Sequence, residues 1–217
     1  MEPSLRQQTE AKMAMTRKNN PVFAKKVDQL LQDAEVLQSG ERALGVGDKA
    51  PEFSLPDAQE NSVSLGAQLA KGPAVVTFYR GGWCPYCNLQ LAAMQGHLEQ
   101  IHELGAELIA ISPQVPDESL SLQEKAELTF PVLSDQEARV AETYGVAWKV
   151  PQLVLDHMRD DRGLDLVKIN GGNGSILPIP ATFIIDRDGV VAWRFVDVDY
   201  RHRAEPSEVM AALRALG

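Results

Sequence analysis

The feature that most restricts the fold is an apolar run, Ala74-Val75-Val76-Thr77-Phe78-Tyr79, that leads almost directly into Cys84-Pro85-Tyr86-Cys87. The run is rich in β-branched and aromatic residues and bounded by glycines, the pattern of a strand buried on both faces. Behind the cysteines, Leu91, Met94, Leu98, Ile101 and Leu104 recur at helical spacing until Gly105. That spacing predicts one helix, opened by the cysteines and closed by the glycine. Glu107-Leu108-Ile109-Ala110-Ile111 then reads as a second strand. Strand, helix and strand in immediate succession form a β–α–β unit with a parallel strand pair, so the chain must build a sheet with helices on its faces.

The remaining segments extend this pattern. A helix is expected from about Asp117 to Leu128, a short strand at Phe130-Pro131-Val132-Leu133, and a helix from Glu137 to Tyr144. Residues 145–179 are less regular. Pro151, Gly163 and Gly171-Gly172-Asn173-Gly174 predict loops around a helix, an insertion lying near the functional site. Ala181-Thr182-Phe183-Ile184-Ile185 and Val190-Val191-Ala192-Trp193-Arg194-Phe195 flank Asp186-Arg187-Asp188-Gly189, a hairpin with turn chemistry at its tip. Pro206 opens a last helix through Val209, Leu213 and Leu216. The class is therefore α/β with a mixed sheet flanked by helices.

The first residues read differently. Ser4 to Lys18 is polar and rich in helix formers, and Asn20-Pro21 starts a second helix. Phe23, Val27, Leu30, Leu31, Ala34 and Leu37 share one face of it, and Ser39-Gly40 closes it. We divide the chain into an N-terminal helical arm, a hairpin within residues 1–44, and a domain over 45–217. The apolar face of the arm fits a cover for its own domain or a homodimer interface equally well.

Charge narrows the partners. Lys+Arg total 21 and Asp+Glu 30, a net charge of −9, which disfavours nucleic acid and anionic membrane. No stretch approaches the roughly 18 apolar residues of a spanning helix. Met1 to Gln8 has no apolar core of a signal peptide, so a cytoplasmic location is expected. In that compartment two cysteines three apart point to redox chemistry or metal rather than a structural cross-link. Cys84 falls at a helix N-terminus, where unpaired N–H groups and the helix dipole favour thiolate, and Pro85 suits the first turn. The outer, accessible Cys84 is the expected nucleophile, and Cys87, one turn on, the resolving thiol. Arg80 and Trp83 stand close by; Arg80 adds positive potential or is simply a solvated loop cation. A zinc site of Cys84, Cys87, His97 and His102 is the competing reading. About 15 Å of helix at roughly 1.5 Å per residue separates Cys87 from His97, and His97 and His102 point to different faces, so no metal and no other cofactor is expected.

These residues resemble the thioredoxin superfamily, and within it the peroxiredoxin-like alkyl hydroperoxide reductase and thiol-specific antioxidant family. The resemblance runs from Gly45 to Leu216. It is carried by Gly47-Asp48-Lys49-Ala50-Pro51-Glu52-Phe53-Ser54-Leu55, the strand with Trp83-Cys84-Pro85-Tyr86-Cys87, Phe130-Pro131-Val132-Leu133-Ser134-Asp135, and Ile179-Pro180-Ala181-Thr182-Phe183-Ile184-Ile185-Asp186. It implies a thioredoxin-like fold, a cis Ile179–Pro180 bond opposite the cysteines, and a substrate-positioning role for Pro180, Trp83 and Arg80. The chain departs from the family at three places. Gly81 and Thr77 stand where peroxiredoxins carry a Thr or Ser and a Pro before the attacking cysteine, and Pro180 aligns with the family's late arginine. Thr77 also replaces the buried Asp of thioredoxin. The implied activity is reduction of hydroperoxides through a Cys84/Cys87 dithiol–disulfide cycle, with an external thioredoxin- or glutaredoxin-like thiol as reductant. A protein disulfide reductase using the same pair, or a non-catalytic zinc- or partner-binding module, are the alternatives.

Overall fold

The computed structural model of the protein describes residues 3–32, 39–116 and 127–217. Two helices open it, α1 (Leu5–Asn19) and α2 (Pro21–Leu30). Ser4 caps α1 by accepting from the Gln7 amide while the Gln7 side chain accepts from Ser4, a reciprocal pair that satisfies two end donors. Asn20 caps α2 and Pro21 occupies its first turn. α2 ends at Leu30, short of the close expected at Ser39-Gly40, which instead open a tight 3-10 turn (Ser39–Arg42); the expected apolar positions Ala34 and Leu37 lie outside the described residues.

A small hairpin, β1 (Ser54–Pro56) with β2 (Ser62–Ser64), and the short helix α3 (Leu65–Leu69) precede the main sheet. The sheet is built from β3 (Ala74–Phe78), β4 (Glu107–Ser112) and β5 (Val132–Ser134), with two later strands below. Between β3 and β4 run α4 (Pro85–Gln95) and α5 (Leu98–Glu103). The single helix expected there is thus broken. Gly96 ends α4, and His97 leaves helical geometry at φ −112° and ψ 6° while its Nδ1 lies 2.8 Å from the Ala93 carbonyl, which gives that terminal group a side-chain partner.

After β5 come α6 (Arg139–Thr143), β6 (Ala147–Lys149), α7 (Gln152–Asp156) with a wider turn over His157–Asp161, α8 (Leu166–Ile169) and β7 (Ile176–Pro178). The hairpin β8 (Ala181–Ile185) and β9 (Val191–Val196) and the helix α9 (Pro206–Arg214) complete the chain. Of the helix expected from Asp117 to Leu128, residues 117–126 lie outside the described residues.

The five-stranded sheet has the order β5-β4-β3-β8-β9. β3 pairs parallel with β4, Val76 opposite Ile109, as the β–α–β pattern requires, and antiparallel with β8, Val76 opposite Phe183. Every residue of β3 and β8 is buried. Alternation along the strands divides the core. Val76, Phe78, Ile109, Ile111 and Phe183 face one layer, with Tyr144 and Val27. Val75, Tyr79, Leu108 and Ile184 face the other, with Cys84, Cys87, Leu91 and Val209. The apolar face of α2 turns inward, leaving Val27 2% and Leu31 6% exposed. Among the described residues no helix is long and apolar enough to cross a membrane.

Candidate active site

The loop after β3 is shaped by Gly81. Its φ of +142° lies where side chains are strained, and a Cβ there would stand 2.4 Å from Trp83 Nε1 and 3.1 Å from Gln114 Cδ. The Gly82 amide donates to Gln114 Oε1 at 2.6 Å, tying the loop to the end of β4. Cys84 is then the N-cap of α4 and Pro85 its first residue, as the sequence indicates. One turn on, Cys87 donates a thiol hydrogen bond to the Cys84 sulfur, and the Cys87 backbone N–H points to the same sulfur. Both cysteines are free.

Burial opposes charge on Cys84, but the Cys87 thiol, the Arg80 and Arg203 guanidiniums and the helix-start N–H outweigh it and hold the thiol well below its ordinary value. Cys87 goes the other way. Burial and the neighbouring Cys84 sulfur push it well up, with Arg203 pulling back. The pair is therefore asymmetric: the surroundings favour thiolate on Cys84 and the neutral thiol on Cys87. Arg203, 6% exposed, donates from Nη2 to Cys87 Sγ at 3.2 Å and is anchored by the Tyr200 and His202 carbonyls.

Two expectations need correction here. Arg80 is not a solvated loop cation: it is 2% exposed, with its Cζ 4.3 Å from the Tyr200 ring centre and 5.1 Å from that of Trp83. Its Nε and Nη2 make no hydrogen bond among the described residues. Nor is Cys84 on the outer surface, being 1% exposed. It borders a cavity of about 410 Å³ whose walls come from the arm (Lys12, Thr16, Asn20, Phe23) and from the 145–179 segment (Val154, His157, Met158, Arg162). The arm is fastened over the cysteine motif by the Thr16–Tyr86 side-chain hydrogen bond and by the stacking of Phe23 on His157 at 3.5 Å. Asp28 reaches Arg201 at 2.6 Å. Arg201 is also paired with Asp199 at 2.7 Å, in the loop that carries Tyr200 and Arg203. The irregular 145–179 segment does lie at the site.

Pro180 is buried at the start of β8, and the Phe78–Ala181 register puts it at the sheet end from which the cysteine loop leaves. It does not line the cavity, and the Ile179–Pro180 bond expected to be cis is trans. Trans is the lower-energy isomer of an X–Pro bond by about 0.5–1 kcal/mol. Thr77, at the position of thioredoxin's acid, joins Thr182 and Gln90 in a buried neutral network at 3.1–3.2 Å that holds α4 onto the sheet. Among the described residues no three His, Cys, Asp or Glu side chains converge as a metal site. Arg203, Tyr200, Lys12 and Arg162 carried no signal in the sequence, where each is one charged or aromatic residue among many.

Fold and site together define a dithiol oxidoreductase of thioredoxin-like architecture. Residues 46–194 match the AhpC/TSA family model, and the chain belongs to that family. A Mycobacterium tuberculosis protein (strain CDC 1551 / Oshkosh) provisionally named a peroxiredoxin is 31% identical over 145 residues, 67% of this chain and 80% of that protein. Peroxiredoxin Bcp of Escherichia coli K12 is 32% identical over 103 residues, 48% of this chain and 65% of that protein. Among solved structures, peroxidoxin BcpB from Mycobacterium tuberculosis superposes with a TM-score of 0.62 at 25% identity, covering 80% of this chain and 99% of that one. A peroxiredoxin-like protein from Aquifex aeolicus shares the fold, with a TM-score of 0.62 at 21% identity over 81% and 89% of the two chains.

Proposed function

We propose that the protein is a thiol-dependent peroxidase in which Cys84 is the peroxide-attacking thiolate and Cys87 the resolving thiol. The observation that carries this reading is the opposed displacement of the two thiols across one helical turn, with the outer one opening on a cavity. Membership of the family and the peroxiredoxin names of the relatives support a hydroperoxide over a protein disulfide as the oxidant.

The cycle balances as follows. The Cys84 thiolate attacks one peroxide oxygen, the O–O bond breaks, and the departing alkoxide or hydroxide takes a proton. Arg80 lines the same cavity as Cys84 and has two N–H groups without a partner among the described residues, so its guanidinium takes the part, stabilising the developing negative charge, of the one that the family places elsewhere. Cys84 is left as a sulfenic acid. The Cys87 sulfur attacks it, hydroxide leaves as water, and a Cys84–Cys87 disulfide forms. Arg203 lowers the cost of thiolate on Cys87 at that moment. A thioredoxin-like dithiol supplies the two electrons that reopen the disulfide. Trp83 and Tyr200 hold Arg80 in place by ring contact. A pair that an external thiol must return to the dithiol suits a reducing, cytoplasmic location. A homodimer through the arm would draw on Met15 and Val22, the exposed large apolar groups among its described residues, and sedimentation equilibrium measures it.

The test is a thiol count after hydrogen peroxide. The reduced protein should lose both thiols within seconds. Cys84→Ser should lose none, and Cys87→Ser should accumulate a dimedone-reactive sulfenic acid. A wild-type protein that keeps both thiols refutes the peroxidase reading.

A further inference from the structure

The cavity over Cys84 has a charge character opposite to that of the chain. The protein carries a net −9, yet the cavity is lined by Lys12, Arg80 and Arg162 and by no Asp or Glu. None of the three cations makes a salt bridge among the described residues; the pairs there involve Arg6, Arg17, Lys71, Arg139, Arg159, Arg201, His157 and His202. Arg80 is 98% buried (2% exposed) with two N–H groups lacking an acceptor, and Trp83 Nε1, in the same wall, also lacks one. Unmet buried donors are costly unless something occupies them. The lining also includes the apolar Phe23, Val154 and Met158.

We infer that this cavity recognises a small organic hydroperoxide that carries a carboxylate, with Lys12 of the arm and Arg162 of the 145–179 segment as specificity-determining residues. The volume of about 410 Å³ falls within the range of about 300–1,000 Å³ typical of small-molecule sites. It is far larger than hydrogen peroxide needs. The apolar lining takes the hydrocarbon body. Arg80, in the same cavity as the sulfur, serves the peroxide oxygens, and the two outer cations meet the carboxylate. Lys12 is half-buried, and Arg162 is exposed but steadied by donating to the Trp83 carbonyl at 3.2 Å. Lys12 lies outside the residues that match the family and Arg162 within them, so the arm adds a cation of its own to one that the domain supplies. The inference rests on the peroxidase reading for its substrate but not for its binding site.

The experiment compares cumene hydroperoxide with its para-carboxylate derivative, two peroxides that differ by one charged group. For the full chain, kcat/KM should favour the carboxylate by about tenfold, the effect of one partly shielded charge pair, with the difference in KM and declining at high salt. Lys12→Glu and Arg162→Glu should bring the ratio to about one, and Lys12→Arg should restore it. A ratio near one in the wild type, or one that survives both reversals, overturns the inference. If neither peroxide is consumed while hydrogen peroxide is, the inference is overturned; if hydrogen peroxide too leaves both thiols intact, the peroxidase reading falls, and calorimetric titration with 4-isopropylbenzoate against 4-isopropylbenzyl alcohol decides the site on its own. Preferential benzoate binding lost in Lys12→Glu supports it; equal or absent binding overturns it.

Discussion

Replacing Arg203 with methionine keeps most of the side-chain volume and removes the cation that donates to Cys87, whose Sγ lies 3.2 Å from Nη2. The consequence depends on which sulfur is charged. In the resting pair the surroundings favour charge on Cys84, where Arg203 is one of two cations that act on it. When Cys87 attacks the sulfenic acid, the charge moves onto the sulfur that Arg203 touches. At 3.2 Å the gross attraction is about 5 kcal/mol for an effective dielectric constant of about 20. The cost of desolvating the guanidinium returns part of this, leaving the roughly 1.5–3 kcal/mol of a hydrogen bond to a charged group. A value of about 2 kcal/mol corresponds to about 1.5 pKa units and to resolution slowed about thirtyfold. Stopped-flow tryptophan fluorescence separates the steps, because sulfenic acid formation depends on peroxide concentration and disulfide formation does not. The second phase should slow by at least about tenfold, with sulfenic acid trapped by dimedone in the interval. The first phase should slow less. Equal slowing of both phases, or no change in the second, would refute the assignment of Arg203 to Cys87. Arg203→Lys should recover part of the rate, which a purely structural role would not require.

Three further outcomes follow from the same geometry. Carbamidomethylation of Cys84, followed by mass spectrometry, should reach its plateau at a lower pH than that of an ordinary thiol, which gains about tenfold per unit up to about pH 8.5. Because the folded value is depressed, the thiolate adds stability that is full above the unfolded thiol value and is lost as pH falls through the folded one; Arg80→Met should move that decline toward alkali. Arg201→Met takes from the half-buried Asp199 its paired guanidinium and releases Asp28 of the arm from the loop that carries Asp199. It should cost about 2 kcal/mol in urea unfolding, a figure discounted for the exposure of Asp28, and should speed alkylation of Cys84; unchanged alkylation would mean that the arm is not held by this pair. Gly81→Ala forces a Cβ against Trp83 in a strained conformation and should cost about 1–3 kcal/mol and most of the peroxidase rate, measured by unfolding midpoint and kcat.

What the sequence by itself determined is what short-range physics encodes. The apolar run at 74–79 had to be buried on both faces, and it is the central strand. Asn20-Pro21, Cys84-Pro85 and Pro206 each mark a helix start, and the turn at Asp186–Gly189 joins β8 to β9. Capping, proline geometry and period-two alternation act within a few residues, so they can be read along the chain. The thiolate bias of a cysteine at a helix start is legible for the same reason. One local inference failed at His97, where a side chain that could serve either as surface group or as helix end took the second role.

Tertiary structure decided everything that depends on residues far apart in sequence. Arg80 is burdened with burial because Tyr200 closes over it, and Cys87 gains a cation from Arg203 across more than a hundred positions. The cavity exists only because α1, α2 and the turn after α7 converge on Cys84, which turned an accessible sulfur into a roofed one. An arginine carries no record of what will lie beside it. Its charge costs or contributes according to the dielectric and the partners that the closed fold supplies, and those are set by packing between segments, not by the spacing within any one of them.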